Sequence, residues 1–357
     1  MRPRIDTSVL CILRGRARAA MAASWIMLTL FWMAPVAPAG VRTSSSAEVA
    51  ADQPSNSAPD VQTSAPLAIA KNVWVFADHH VNFVPNVGII EGKDAVLVVD
   101  AGLGPRNGAK VLAAAQAIAK GRKLILTSTH FHPEHAFGAQ AFTGAARYIV
   151  NAAQADELAE KESTYIKLFR TFGPDVAQAL EGTEQIAPDE RYGGVRKVID
   201  LGGRSVELRP TPAHTRGDQV IYLHHDGVVF CGDLVEEGFF PILPDSDSNG
   251  RHWIEVLESI EALKPRVVVP GHGLVGGVER VVVYRQYLQT VQKQVEELVS
   301  QGLAQEEITA RLAPKLRAAH PNWRNAVFIP YQIANFYALA TGRPLRLPSL
   351  EADLSSK

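Results

Sequence analysis

Leu124-Ile125-Leu126-Thr127-Ser128-Thr129-His130-Phe131-His132-Pro133-Glu134-His135 is the stretch whose reading decides the fold. Its first six residues pass from apolar to small without a charge, the pattern of a strand buried on both faces. The run ends on His130, and His130, His132, Glu134 and His135 then fall within six residues. Alternate side chains of an extended segment point the same way. His130 and His132 can therefore grip one ion, while Glu134 and His135 turn with the chain toward a second. Imidazole and carboxylate together suit Zn²⁺, with Fe and Mn as alternatives. The bland alternative, surface histidines at a loop, requires this clustering at a strand end to be accidental.

Three more residues of ligand type stand just past apolar strands. His214 follows Val206-Glu207-Leu208-Arg209 and Pro210-Thr211-Pro212-Ala213; Asp233 follows Val228-Val229-Phe230-Cys231-Gly232; His272 follows Val267-Val268-Val269 and Pro270-Gly271. Singly, each reads as a capping or turn residue. Together they complete two four-ligand shells.

Outward from these points the chain alternates between short apolar runs and helical spacing. Strands are expected at Val73–Phe76, Val87–Ile90 and Ala95–Asp100, and a helix from Asn107 to Lys120 with Gly121 as its stop. Residues 153–172 have helical spacing, and 173–194 read as loop. A second strand-rich half covers Val195–Leu201, Ser205–Arg209, Gln219–His224 and Gly227–Cys231. A helix from His252 to Leu263 leads to a strand at Arg266–Val269, and helices are expected near 278–298, 304–318 and 328–341. Strands and helices in each half imply two sheets packed together with helices outside.

At its ligand-type residues the chain resembles the metallo-β-lactamase superfamily, the αββα-sandwich metallohydrolases. His130-Phe131-His132-Pro133-Glu134-His135 is similar to that family's H-x-H-x-D-H signature, with Glu134 where Asp is usual. Thr211–Asp218 resembles its P-G-H-T-x-G-D segment with Ala213 for Gly, Phe230–Asp233 its F-x-G-D segment, and Pro270–Gly273 its P-G-H-G segment. Intervals of 79, 19 and 39 residues separate His135, His214, Asp233 and His272. The resemblance covers about residues 72–275. It implies a four-layer α/β (α+β) sandwich of two mixed β-sheets with outer helices. It also implies that His130, His132 and His214 hold one metal, that His135 and His272 with Glu134 hold another, and that Asp233 bridges them. Glu134 and Asp233 are then the catalytic carboxylates, managing the nucleophile's proton. Glu134 carries one CH₂ more than the usual Asp and must fold back to reach its ion.

The N-terminus reads differently. Arg2, Arg4, Arg14, Arg16 and Arg18 precede an apolar run from Ala19 to Val36, which closes on Ala37-Pro38-Ala39. This is the pattern of an export signal cleaved after Ala39. A retained membrane anchor is the competing reading, but Pro35 and Pro38 interrupt the end of the span. The expected organisation is a signal at 1–39, a flexible linker at 40–67, a metallo-β-lactamase domain at 68–275 and a helical extension at 276–345. Without residues 1–39 the formal charge is −5, which offers nucleic acid no attraction. Cys231 is then the one remaining cysteine, so no internal disulfide forms and stability must come from the core.

The function expected is hydrolysis of a small ester, thioester, lactone or β-lactam in the periplasm or outside the cell, by hydroxide held on two zinc ions. A metal-bound water ionises near pH 7, about nine units below bulk water. An iron-dependent thiol or persulfide dioxygenase of the same fold is the alternative enzyme, and a non-catalytic metal-binding module the alternative of another class. The partner is a small molecule; membrane insertion after cleavage is not expected, and oligomeric state is left open. Cys231 reads as a buried apolar side chain on the face of Asp233. His79 and His80 read as loop histidines near the mouth, and His224, His225 and His320 as exposed. Phe239, Phe240, Trp253, Trp323 and Tyr331 are candidate pocket walls.

Overall fold

Short apolar runs joined by tight turns make antiparallel strands, whereas runs joined through a helix come back parallel; this chain uses both. The computed structural model describes residues 57–184, 186–244 and 246–348, so the expected signal segment and the linker up to residue 56 lie outside the described residues. Strands β1 (Leu67–Ala70), β2 (Val73–Phe76), β3 (Val87–Glu91) and β4 (Ala95–Val99) form an antiparallel meander. Helix α1 (Gly104–Ala119) then carries the chain to β5 (Lys123–Thr127), parallel to β4. The short α2 (Pro133–Ala136) leads through a 3₁₀ turn (Phe137–Phe142) to β6 (Arg147–Asn151). Helices α3 (Ala152–Arg170) and α4 (Pro174–Ala179) lead to β7 (Glu190–Tyr192), and β6 and β7 extend the sheet in parallel.

The second sheet has the order β12-β11-β10-β9-β8. Its strands are β8 (Lys197–Asp200), β9 (Ser205–Pro210), β10 (Gln219–Leu223), β11 (Val228–Gly232) and, after helix α5 (Gly250–Ala262), β12 (Val267–Pro270). Only the β11–β12 pair is parallel, so both sheets are mixed. Helices α6 (Glu279–Ser300), α7 (Gln305–Ala319) and α8 (Ile329–Thr341) follow.

The layers follow from the two-residue period of the strands. On β4, Val96 and Val98 pack with Val111, Ala115 and Leu158 beneath α1 and α3, while Leu97 and Val99 meet Ile221, Leu223 and Phe230 of the second sheet. On β11, Phe230 points into that middle layer, and Val229 and Cys231 point outward to Trp253, Leu257 and Leu288 of α5 and α6. Helix, sheet, sheet, helix is the four-layer sandwich expected. Strands covered on both faces have no polar side to show, which is why β4 and β11 read as unbroken apolar runs.

Three local readings change. The end of the expected linker is anchored: Val61 is buried, its N–H donates to Asn107 Oδ1 (2.8 Å), and Asn107 Nδ2 donates to Pro59 O (2.7 Å). The stretch read as loop at 173–194 contains α4 and β7, both too short to show a period. Strand β8 starts at Lys197 because Val195, 88% exposed, has nothing to pack against. Among the described residues no helix is long and apolar enough to cross a membrane.

Helix α8 fastens the loop from β11 to α5: Gln332 Nε2 donates to Pro241 O (2.6 Å), Asn335 Nδ2 to Ser248 O (2.8 Å), and Gly250 N to Asn335 Oδ1 (2.9 Å). On the other side α1 presses on the 3₁₀ turn that follows α2. A Cβ at Gly108 would lie 1.9 Å from Gly138 O, so the two backbones touch. Gly→Ala inside a helix ordinarily stabilises by about 1 kcal/mol. Here Gly108→Ala is expected to destabilise by about 1–3 kcal/mol, read from the urea midpoint of unfolding.

Glu162 on α3 is 4% exposed, and its Oε2 has no hydrogen-bond partner. Burial pushes its carboxyl up to about 7. The folded chain thus holds a proton that the unfolded chain releases, and stability falls as pH rises from the ordinary carboxylate range through 7. Glu162→Gln should therefore raise the melting temperature at pH 8 and leave it unchanged at pH 4; an equal effect at both pH values would contradict this origin.

Candidate metal centre

Strand β5 ends at Thr127, and the residues beyond it leave the sheet at the rim where β11 and β12 also end. His130 comes first. His132 is still extended (φ −57°, ψ 149°) and caps α2, whose Pro133 sits where a missing N–H costs nothing. One turn of helix then swings Glu134 and His135 away from His132. Pro133, in the last gap of the motif, thus separates the two halves of the candidate ligand set.

The seven predicted residues come together in two groups that share one member. His130, His132, His214 and Asp233 form the first; Glu134, His135, Asp233 and His272 form the second. Within each group the donor atoms lie within 4.8 Å of one another, and all seven residues are buried. The rings of His130, His132 and His214 surround one point, with centroids 4.6, 4.9 and 4.7 Å apart. Asp233 faces both ways. Its Oδ2 is 3.7 Å from His130 Nε2 and 3.9 Å from His214 Nε2, and its Oδ1 is 3.2 Å from His135 Nε2 and 3.8 Å from His272 Nε2.

Buried polar atoms normally find partners. Here His130 Nε2, His132 Nε2, Glu134 Oε2, His135 Nε2 and Asp233 Oδ1 have no hydrogen bond, and all belong to the two groups. Orphaned nitrogen and carboxylate donors converging in this way fit divalent cations. Burial and neighbouring imidazoles hold His130 and His132 well below the usual histidine range, leaving the neutral form that binds metal. Burial also lowers His272. Burial opposes charge on His135 too, but Asp233 and Asp100 on its two sides outweigh it and raise its pKa. Burial lifts Glu134 to about 7 against the pull of His135. A divalent cation between the groups would take over the charge balance that protons supply without it.

Other side chains aim the ligands. Asp100, in the left-handed region (φ 66°), accepts from Thr129 N (2.7 Å) and Thr129 Oγ1 (3.0 Å) and lies 2.9 Å from His135 Nδ1. With that nitrogen bound to Asp100, Nε2 of His135 faces the centre. His214 Nδ1 lies 2.7 Å from Ile242 O, which turns its Nε2 inward likewise. The loop carrying His214 is cross-braced. Asp218 Oδ2 accepts from Ala213 N, His214 N and Thr215 N, and Glu157 of α3 accepts from Gly217 N (2.7 Å) and from Lys161 Nζ (2.9 Å). Lys161 also donates to Asp247 (2.6 Å), next to Ser248, whose hydroxyl donates to His214 O. The His272 loop is held by Asn86, which donates to Pro270 O and Gly273 O, and by Asp78, which accepts from Gly273 N. A Cβ at Gly271 would lie 2.0 Å from Asp233 Oδ1, so the Asp233 carboxylate occupies the space a side chain there would need.

The competing residues sort differently. Cys231 was expected on the face of Asp233, but β11 slips register between Phe230 and Gly232 and Gly232 has φ 53°. Alternation is broken there, so Cys231 packs under α5 and α6 while Asp233 enters the centre. Trp253 stands 5.6 Å from the His214 ring and Phe239 5.9 Å from the His272 ring. Phe240 and Trp323 instead pack with Tyr287 and His320. His320, read as exposed, is half-buried with its ring 4.1 Å from Trp323. Tyr165, not singled out from the sequence, stacks on His132 at 5.1 Å. Asp100 was also missed, although it ends an apolar strand as Asp233 does. Glu157 has no local signal, since it is one acid among several on a helix.

A family model for the metallo-beta-lactamase superfamily matches residues 81–272, and the chain belongs to that superfamily. It is 27% identical over 208 residues to the acyl-coenzyme A thioesterase MBLAC2 of Gallus gallus, covering 55% of this chain and 74% of that protein. It is 24% identical over 278 residues to a linear primary-alkylsulfatase of Pseudomonas sp., covering 66% of this chain and 52% of the other. Among solved structures, a metallo-beta-lactamase from Pontibacter korlensis superposes with a TM-score of 0.51 at 20% identity, over 63% of this chain and 98% of its own. The DIM-1 metallo-beta-lactamase does so at 0.51 and 15%, over 65% and 98%. Helices α6–α8 lie beyond the matched residues. The chain is a metallohydrolase whose His and Asp cluster is built for divalent metal.

Asp100→Asn should leave the fold intact but weaken the aim of His135. The expected loss is about 10–100-fold in affinity at the second group, measured by competitive chelator titration, with affinity at the first group changed far less.

Proposed function

We propose that the two groups hold a pair of zinc ions and that the enzyme hydrolyses a small acyl substrate: an ester, thioester, lactone or β-lactam. The observation that carries this reading is the position of Asp233, one carboxylate oxygen turned to each group. The name of the Gallus gallus relative supports a thioester within that class. When bound, the cations supply Lewis acidity and a nucleophile at neutral pH.

The chain's own residues divide the remaining work. His130, His132 and His214 hold the first ion; His135, His272 and Glu134 hold the second; Asp233 spans them. Glu134 Oε2 or the Asp233 carboxylate accepts the proton of the attacking water and orients its lone pair toward the carbonyl. Glu134 reaches its group because α2 begins at Pro133 and turns the longer side chain back toward His135. Phe239 and Trp253 flank His272 and His214 and exclude water there. The Arg-rich start, apolar run and Ala37-Pro38-Ala39 support export to the periplasm or beyond.

Metal analysis and a substrate panel test this together. Wild-type protein should carry two equivalents of zinc and cleave members of an ester, thioester and chromogenic cephalosporin panel. Glu134→Asp should retain the second equivalent, Glu134→Ala should lower it, and Asp233→Ala should abolish paired binding and turnover. One iron with oxygen uptake on a persulfide would point instead to the dioxygenase. Metal without turnover on any substrate would point to a binding module.

A further inference from the structure

Helix α3 turns one stripe of side chains toward the first group of candidate ligands. Glu157, Lys161 and Tyr165 recur every four residues, the spacing that stacks side chains on one helix face. Glu157, buried, accepts from Gly217 N (2.7 Å) and Arg216 N (3.3 Å) in the loop that carries His214. Tyr165 stacks on the His132 ring at 5.1 Å. Lys161 stands between these two contacts, with 20% of its side chain exposed.

The ammonium of Lys161 joins three segments. Its Nζ donates to Glu157 Oε1 (2.9 Å) one turn back, and to Asp247 Oδ2 (2.6 Å) in the loop from β11 to α5. It also lies 5.1 Å from the centroid of Phe131, which falls between His130 and His132. Asp247 is followed by the buried Ser248, whose hydroxyl donates to His214 O (2.8 Å) and whose carbonyl accepts from Asn335 Nδ2 (2.8 Å) of α8. His214 is thus held from two directions, through Glu157 at Gly217 and through Ser248 at its own carbonyl. Lys161 bonds to the carboxylate at the head of each route. Without the ammonium, Glu157 and Asp247 would stand close together as like charges, one of them buried.

We propose that Lys161 is the positioning residue of the first group: it sets where His214 stands relative to His130 and His132, and so governs the hold on the first cation alone. This deepens the proposed function and rests on its pair of cations. The ligands of the second group are braced by other residues, His135 by Asp100 and the His272 loop by Asp78 and Asn86. The effect of Lys161 is confined to one group for that reason.

The test uses the full chain and competitive chelator titration with Zn²⁺, each step assigned to its group by Co²⁺ absorption. Lys161→Met keeps an apolar stem beside Phe131 and removes the charge; Lys161→Arg keeps the charge. For Lys161→Met, affinity at the first group should fall about 10–100-fold, with the second group little changed. Lys161→Arg should recover part of the loss, and Ser248→Ala should reproduce it at the first group. Equal losses at both groups, or none at either, overturn the proposal and leave Lys161 an ordinary ion pair. A wild-type protein that binds no zinc counts against the two-cation reading alone. Positioning is then read in the metal-free protein by hydrogen exchange. Lys161→Met should speed exchange at residues 213–217 and leave 271–274 unchanged; unchanged or uniformly faster exchange sinks the inference. If Lys161→Met does not fold, Ser248→Ala carries both readings with the same deciding outcomes.

Discussion

A single buried carboxylate governs this structure. Asp233 is 4% exposed and faces His130 and His214 with one oxygen, His135 and His272 with the other. An isolated carboxylate in such a place costs several kcal/mol, so its surroundings must be arranged to accept it. Burial pushes it toward neutrality, but the imidazoles of His135, His272 and His130 overcome that and hold it well below the usual carboxylate range. Gly232 turns it inward against the strand's alternation, and Gly271 leaves room for its oxygen. The position of that one side chain fixes where the ends of β5, β11 and β12 must meet.

Around it, each loop that delivers a candidate ligand is tied by a polar side chain that is itself buried. Asp100 secures the loop of His130 and His135, Asp218 and Glu157 that of His214, and Asp78 with Asn86 that of His272. Loops leave backbone N–H groups without ladder partners, and a buried carboxylate or amide satisfies several at once. The same contacts remove the freedom that would let a ligand swing away. Precision at the centre and satisfaction of the backbone are therefore met by the same residues, and substitution there disturbs both.

The helices after residue 278 do more than cover the outer face of the second sheet. Through Gln332 and Asn335 they fix the loop that supplies Ile242 O to His214, and through Arg324 they reach the rim beside His272. The motif-bearing sandwich explains the chemistry available to the centre.

Much of the centre was legible because its candidate ligands carry unusual side chains at strand ends. His130, His132, Glu134 and His135 are dense enough to read alone, and His214, Asp233 and His272 each follow a strand, Asp233 and His272 directly after a glycine and His214 two residues after Pro212. The layered fold was legible for a related reason, since strands such as β4 and β11, buried on both faces, leave unbroken apolar runs. Asp100 offered the same signal as Asp233 but no motif, and Glu157, Tyr165 and Arg324 offered none. Their roles exist only through contacts between residues distant in sequence, such as Glu157 with Gly217 and Arg324 with Phe239. Cys231 shows the converse: alternation placed it beside Asp233, and a register slip at Gly232 sent it into the helical layer. The sequence by itself determined which side chains could bind metal and which strands were buried, because composition and spacing are local properties. Only the tertiary structure decided which atoms converge and which loops are braced, because those depend on distances that no local pattern encodes.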